Sequence, residues 1–423
     1  MNRILTKLNL ISLFLLVSIP GFADDTSSWD ALKYGGEVEL EYSQDANVNL
    51  QSTDNEDEIK LVGSAKFMLT YEPNDRYLTH LELKYGRELE IENVEYDRSY
   101  ETFLELDELY FKASDLMDSE RIKNVDITLG RFSIDDSRAW LYDQSVDGFN
   151  ITFEHRDLGT EYGLSLNREE WFGSDLLNHD DKDPVSNVIV FARHKPFDDI
   201  NLDLSVHAIS RRDSSDDNDS PDIFGMSAEG KLLDKHLEYW AIVAWARGED
   251  DDEKISGQGL DIGISYDLNW TLKPYLTFAY ALGQGSGDED TDFRQSGLQR
   301  NTTKFGGVAK FKYYGEVLDP ELSNLHILTA GIGFRPIPRA SIDLIYHRYH
   351  QDHPLDELRN TDFDTDPNGV DEDIGDALDI IIGLENGRNM EAEFTLGYFR
   401  PGEAFDDVEN SAFIAKASIA YFF

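Results

Sequence analysis

Fixed positive charge on alternate residues is the chemistry this chain spreads most widely. Lys60, Lys66, His80, Lys84, Arg156, His207, Arg211 and Lys416 fall on the polar face of extended runs, where they would point inward from a closed sheet. Cations fixed in a narrow, partly desolvated passage attract anions far more strongly than the same groups in open water. Lys84, Arg156 and Lys416 are the members of this set read as anion-selecting. Acids on the same faces, such as Glu82, Glu154 and Asp203, offer the alternative that the cations are neutralised pairwise along a wall.

A second chemistry is weaker. The run Asp364-Thr-Asp366-Pro-Asn368-Gly369 is a partial match to a calcium loop, with oxygen ligands at alternate positions before a sharp turn. Gly375 stands where the bidentate acid belongs, so a solvated acidic loop is the competing reading; Asp371, Glu372 or Asp373 would have to complete a Ca2+ site. Catalysis has no comparable pattern. The 10 histidines are scattered, neither HExxH nor GxSxG occurs, and no glycine-rich turn follows a strand and opens a helix, so the chain reads as a non-enzyme without a cofactor beyond that calcium.

The elements that would hold these groups are strands. From Tyr34 onward a run of about ten residues with alternating apolar side chains, then a turn or polar loop, recurs to the C-terminus. Val38, Leu40 and Tyr42 alternate with Glu37, Glu39 and Glu41; Phe394, Leu396 and Tyr398 alternate with Glu393, Thr395 and Gly397. The last stretch is the most telling. Phe413, Ala415, Ala417, Ile419, Tyr421 and Phe423 share one face, and Ile414, Lys416, Ser418, Ala420 and Phe422 share the other. A wholly apolar face ending on an aromatic residue suits a strand that closes a membrane barrel.

The N-terminus agrees. Arg3 and Lys7, the apolar run Leu8 to Ile19 and the small-residue site Gly21-Phe22-Ala23 read as a secretory signal peptide over 1–23, leaving 24–423 as one domain. No later stretch is long and apolar enough for a membrane helix. There is no cysteine, so no disulfide framework exists. With 38 basic and 84 acidic residues, the formal net charge of −46 argues against a nucleic-acid partner. The acids cluster at Asp213 to Asp222, Glu249 to Glu253, Asp288 to Asp292 and Asp362 to Asp376, read as loops.

Short connections, as at Glu72 to Asp75 and Arg335 to Pro338, alternate with long acidic ones. Both termini then lie in the periplasm and the strand number must be even. Counting Lys304 to Tyr313 as a span would put the short Pro336-Ile337-Pro338 turn outside and the long stretch from Gln351 to Asp376 inside. Gly283 to Asn324 is therefore read as a single long external loop. The prediction is an all-β fold, a transmembrane antiparallel β-barrel of eighteen strands, wide enough for an aqueous channel.

Several longer runs resemble a known family. Leu129-Gly130-Arg131, Asp135-Asp136-Ser137-Arg138-Ala139-Trp140-Leu141-Tyr142-Asp143 and Asp147-Gly148 resemble a segment of the bacterial alginate export porins. Phe293 to Gln299, Phe305 to Leu325, Ile342 to Gln351, the surroundings of Asp379 and Phe399 to Phe405 continue the resemblance over roughly Gly35 to Phe423. It implies a monomeric, eighteen-stranded barrel in outer-membrane lipid, with periplasmic scaffold proteins as partners. Alginate, an anionic polysaccharide with a carboxylate on every sugar, would leave passively through an arginine-lined constriction. On this likeness Arg131, Arg138 and Arg294 join Lys84, Arg156 and Lys416 as selectivity residues, since guanidinium forks match carboxylates. Asp143 and Asp147 would keep the polymer from binding too tightly. Parity sets Arg131 on the face of Ile127 and Leu129, so a bulge at Gly130 is expected to turn it inward. Uptake of acidic oligosaccharides, or a calcium-binding surface barrel without transport, are the alternative functions.

Overall fold

Alternation of this kind can be satisfied only if one face of every strand meets lipid and the last strand finds the first. The computed structural model, which describes residues 31–50, 57–92, 97–169, 171, 173–178, 185–196, 201–214, 219–250, 253–286, 292–361, 363, 365–387, 389–405 and 410–423, shows both. The strands in chain order are β1 (Leu32–Ala46), β2 (Glu58–Asn74), β3 (Tyr77–Glu92), β4 (Asp97–Ala113), β5 (Ile122–Asp135), β6 (Asp143–His155) and β7 (Thr160–Arg168). Next come β8 (Val185–His194), β9 (Asn201–Asp213), β10 (Ser220–Leu232), β11 (Leu237–Asp250), β12 (Glu253–Asp267) and β13 (Tyr275–Gly283). After the small pair β14 (Thr302–Thr303) and β15 (Phe311–Lys312) follow β16 (Leu325–Ile337), β17 (Ala340–Gln351), β18 (Asp373–Asn386), β19 (Met390–Pro401) and β20 (Ala412–Phe422).

Eighteen of these form one antiparallel sheet in which each pairs with its neighbours in sequence, and β1 pairs with β20 from Glu37–Phe422 to Ala46–Phe413. Closure removes both sheet edges, which no open sheet in hydrocarbon can do. The even count holds because β13 pairs directly with β16. The strand-like stretch Lys304 to Tyr313 contributes only β15, which pairs with β14 and takes no place in the wall.

Burial along β20 follows the predicted alternation. Phe413, Ile419, Tyr421 and Phe423 are 44–65 % exposed, while Ile414 and Ala420 on the other face are 6 % and 7 % exposed. Val38, Leu61, Phe67, Tyr85, Val190 and Ile264 are exposed in the same way around the barrel. These side chains form the lipid-facing band. The predicted signal peptide, 1–23, lies outside the described residues. Not every acidic cluster belongs to a loop: Glu249 pairs with Lys254 and Asp376 with Arg400, because the ladders of β11–β12 and β18–β19 run beyond the apolar band.

The largest departure from expectation concerns residues 284–324, of which 284–286 and 292–324 are described. This long connection does not stand outside; it turns back into the barrel and supplies much of a hydrophobic core. Phe293, Leu298, Phe305, Phe311, Tyr313, Tyr314, Leu318 and Leu322 are all buried there. Its apolar content explains the difference. Eight such side chains left in water would forfeit about 1.5–3 kcal/mol each, so the segment folds where they can be covered.

Ala417 sits midway along β20, on the outer face beside Tyr42 and Phe394. Ala417→Arg is expected to lower unfolding stability by about 2–4 kcal/mol, measured by urea titration in lipid vesicles. Ser418→Arg, one residue on and facing the lumen, should change it by less than about half that amount.

Candidate pore constriction

Two segments meet inside the barrel and narrow it. The first is the tip of the β5–β6 hairpin. β5 pairs with β4 only up to Arg131–Leu109, and β6 pairs with β7 only up to Asp147–Arg168, although β5 and β6 stay paired to Asp135–Asp143. Above that level the hairpin has left the wall, and Phe132, Ile134, Trp140, Leu141 and Val146 are buried. Gly130 marks the departure. Its φ of +124° is a conformation few side chains tolerate, and a Cβ there would strike the Leu109 carbonyl. The predicted inward turn of Arg131 thus comes from a glycine kink, with the β5–β6 register unbroken at that point.

Asp136 shapes the tip. Its Oδ1 accepts the backbone N–H groups of Arg138 (3.0 Å) and Trp140 (3.3 Å), and its Oδ2 those of Leu141 (2.5 Å) and Tyr142 (2.9 Å). A buried carboxylate sharing four amides holds a loop that has no ladder of its own. The second segment, residues 284–324, docks on this tip. Gln295 Nε2 donates to the Trp140 carbonyl at 2.9 Å, Asp143 N to the Leu298 carbonyl at 2.7 Å and Asn301 N to the Ala139 carbonyl at 3.0 Å.

Wall residues fasten the pair. Trp140 Nε1 donates to Tyr314 Oη at 2.6 Å, Tyr314 donates to Asp261 Oδ2 at 2.9 Å, and Trp240 Nε1 donates to Asp261 Oδ1 at 2.5 Å. On the opposite side Glu316 N donates to Asp379 Oδ2 at 3.2 Å, and Lys416 Nζ meets Glu316 Oε2 at 3.1 Å. Gly257 and Gly259 leave the space that Phe293 fills; a Cβ at either would collide with it. Within the loop, burial pushes the Glu321 carboxyl above its ordinary value, against the nearby Arg294 charge.

The predicted selectivity residues take different places. Arg138 is buried at the tip, its guanidinium 4.0 Å from the Trp240 ring centre and 5.2 Å from that of Tyr313. Arg131 and Asp147 are bound to each other, Nε to Oδ1 and Nη2 to Oδ2, both at 2.7 Å, and Arg131 Nη1 reaches the Leu106 carbonyl left open where the sheet parts. They hold the hairpin to the wall and face each other instead of the lumen. Arg294 is buried behind the loop, donating to Ser323 Oγ at 2.7 Å. Asp143 lies where tip and loop join, its carbonyl accepting Arg300 Nε at 3.0 Å. Lys416 points inward as predicted but is held by Glu316. Lys84 lies on the inner wall, 5.9 Å from the Phe103 ring centre, and makes no ion pair among the described residues.

Arg156 requires a correction. It follows β6 in the exposed turn and pairs with Asp118 of the adjacent turn, because the strand stops at His155 before parity can aim it inward. Of the two readings of the inward cations, the paired one holds at three of them. Lys60 pairs with Glu58 and Glu90, Lys66 with Glu82 and Asp107, and Arg211 with Glu169. Around the calcium-like run, Asn368 Oδ1 accepts the backbone N–H groups of Val370 (2.8 Å) and Asp371 (3.0 Å), Asp366 is exposed, and Asp364 lies outside the described residues.

The comparisons with known proteins match this arrangement. The family model described as alginate export matches residues 178–413, which include the long inward segment and its wall contacts Asp261 and Asp379. The chain belongs to the alginate export family. The alginate production protein AlgE of Azotobacter vinelandii is 28 % identical over 150 residues, or 31 % of this chain and 29 % of that protein, so the match spans less than a third of its length. Among solved structures, Pseudomonas aeruginosa OccK7 (OpdD) superposes with a TM-score of 0.62 at 12 % identity, covering 95 % of this chain and 99 % of that one. P. aeruginosa OccK5 (OpdH) follows the same path with a TM-score of 0.58 at 10 % identity, over 93 % and 98 % of the two chains. The outer membrane protein OprD of P. aeruginosa gives 0.57 at 12 % identity, over 93 % of each. Family and barrel together make this protein an outer-membrane β-barrel of the alginate export family.

For this alginate export family member, parity and motif reading passed over several residues at the constriction. Arg193 faces inward on β8, 4.5 Å from the Phe191 ring centre, and donates to the Asp135 carbonyl at 3.1 Å. Arg300 is exposed beside Asp143, and Lys310 brings a further positive charge to Asp135. Arg193 was findable, since it shares parity with buried Ile189 opposite exposed Val188 and Val190. Arg300 and Lys310 lie on an irregular segment where no periodicity reports direction. Breaking the buried Arg131–Asp147 pair tests the fastening: Arg131→Ala is expected to cost about 3–5 kcal/mol of unfolding stability. Arg131→Met with Asp147→Leu should recover most of that loss in the same urea titration.

Proposed function

We propose that this porin passes alginate, or a closely related uronate polymer, passively out of the periplasm, and that the junction of tip and loop selects for it. The observation that carries this reading is Arg138. Its guanidinium is 8 % exposed and stacked on two aromatic rings, yet its Nε and Nη2 find no hydrogen-bond partner among the described residues. Leaving buried donors unmatched costs about 1–3 kcal/mol, and a carboxylate is the group that answers a planar fork of N–H donors.

Arg193, Arg300 and Lys310 extend the positive charge along the same junction, while Asp135 and Asp143 interrupt it. Alternation of cation and anion suits a polymer with one negative charge per sugar, because weak, repeated sites let each residue step forward without being trapped. The aromatic rings of Trp240 and Tyr313 keep the guanidinium flat and dry, which strengthens its pull on an anion. Lys84 adds a cation on the inner wall. The paired cations Lys60, Lys66, Arg211 and Lys416 serve the wall and the loop, so selection rests on a short zone. A single barrel of this kind conducts in both directions; the side on which polymer is made sets the traffic.

Planar-bilayer recording is the test. The purified porin is expected to give an anion-preferring reversal potential in a potassium chloride gradient and to be blocked by oligouronates of several sugars added to the periplasmic side. Changing Arg138, Arg193 and Arg300 together to serine should shift the reversal potential toward cations and weaken block at least tenfold. A cation-selective wild-type channel that oligouronate does not block would defeat the reading.

A further inference from the structure

Beside the foot of the inward hairpin, where Glu108 meets Ser133, β2, β3 and β4 bring one imidazole and two carboxylates to a common point. His80 Nε2 lies 3.7 Å from Glu82 Oε2 and 3.6 Å from Glu108 Oε2, and one ligand atom from each of the three residues falls within 4.8 Å of the others. Their side chains are only 15–20 % exposed. These separations are too long for hydrogen bonds. They are close to the edge of a zinc tetrahedron, about 3.4 Å for bonds of roughly 2.0–2.1 Å.

Each residue is held by its other polar atom, so the free atoms converge. His80 Nδ1 is 2.8 Å from Thr70 Oγ1, Glu82 Oε1 is 2.7 Å from Lys66 Nζ, and Glu108 Oε1 accepts the Ser133 hydroxyl at 2.7 Å. Outer partners of this kind orient metal ligands and select the imidazole tautomer. With Nδ1–H turned to Thr70, the Nε2 lone pair faces two carboxylate oxygens, an arrangement that calls for a cation between them.

A fault in the sheet builds the site. The β3–β4 register runs Glu82–Glu108 and then Leu83–Leu106, leaving Asp107 as an extra residue. This bulge lets two consecutive acids share the lumen side: Glu108 points to His80 and Asp107 to Lys66, 3.2 Å away. Three carboxylates, Glu82, Asp107 and Glu108, are opposed by one ammonium, Lys66, leaving two negative charges at a half-buried spot. A divalent cation balances them.

We infer that His80, Glu82 and Glu108 bind a divalent transition metal of the zinc class, with the fourth position open to the lumen. The assignment is independent of what the channel carries, because its test uses the metal alone and no glycan. Full-chain porin in detergent, stripped with chelator and titrated with Zn2+ by calorimetry, should take up one equivalent, and X-ray absorption at the zinc edge should show one imidazole among light-atom ligands. Co2+ should give the visible absorption of a four-coordinate site. H80N and E108Q, each checked for a folded barrel by heat-modifiable gel migration, should lose at least tenfold in affinity. Asp352→Asn, which removes the His326 partner at the outer rim, should leave it unchanged. Uptake below one equivalent, or equal affinity in folded H80N and wild type, overturns the inference.

Discussion

Every backbone N–H and C=O placed in hydrocarbon must find a partner within the protein, and this chain meets that demand by pairing Glu37–Ala46 with Phe413–Phe422. All else in the molecule hangs from this seam. It explains why the strand number is even, why the lipid-facing side chains can be apolar without aggregating the protein, and why charged residues crowd the inside. Once the cylinder is closed, polar groups have a wet interior, and the segments that leave the wall have a place to fold.

The interior is not a simple tube. Where β4 and β5 part above Arg131, the hydrogen-bonding groups of the wall are taken over by other partners: Leu106 and Leu104 bond with Ser174 and Leu176, and Arg131 covers the remaining carbonyl. The hairpin tip freed in this way would be unstable alone. It persists because Asp136 gathers its amides and residues 284–324 cover its apolar side. Wall, loop and tip form one hydrogen-bonded assembly through Asp261 and Tyr314, so a change at the constriction is a change in packing across half the barrel.

The division of labour among charges follows from this. Cations next to regular strands meet acids on neighbouring strands and are neutralised there, as Lys66 is by Glu82. Cations that meet the inward segments face rings and carbonyls instead, as Arg138 at the tip meets Trp240 and Arg193 on β8 meets Phe191 and the Asp135 carbonyl. A strongly acidic protein can therefore gather Arg138, Arg193 and Arg300 at one junction, because local geometry and not net charge decides where positive charge stands.

The fold was legible in the sequence because a strand's two-residue period states which face each side chain occupies, and because turn lengths fix parity. The terminal run to Phe423, the even strand number and the exclusion of Lys304 to Tyr313 from the wall all follow from those rules alone. Parity failed at Arg156, where the strand had ended, and it needed Gly130 at Arg131, where a single φ reversed its meaning. No periodicity reports where residues 284–324 go, since a loop's path is set by what covers its apolar side chains. Nor does any local pattern show that Arg131 would be claimed by Asp147, that Arg138 would keep two donors unmatched, or that a bulge at Asp107 would aim Glu108 at His80. Sequence determined the cylinder, because its signal repeats strand by strand; tertiary structure decided what stands inside it, because those contacts join positions that no repeat relates, from 16 residues apart at Arg131–Asp147 to 174 at Trp140–Tyr314.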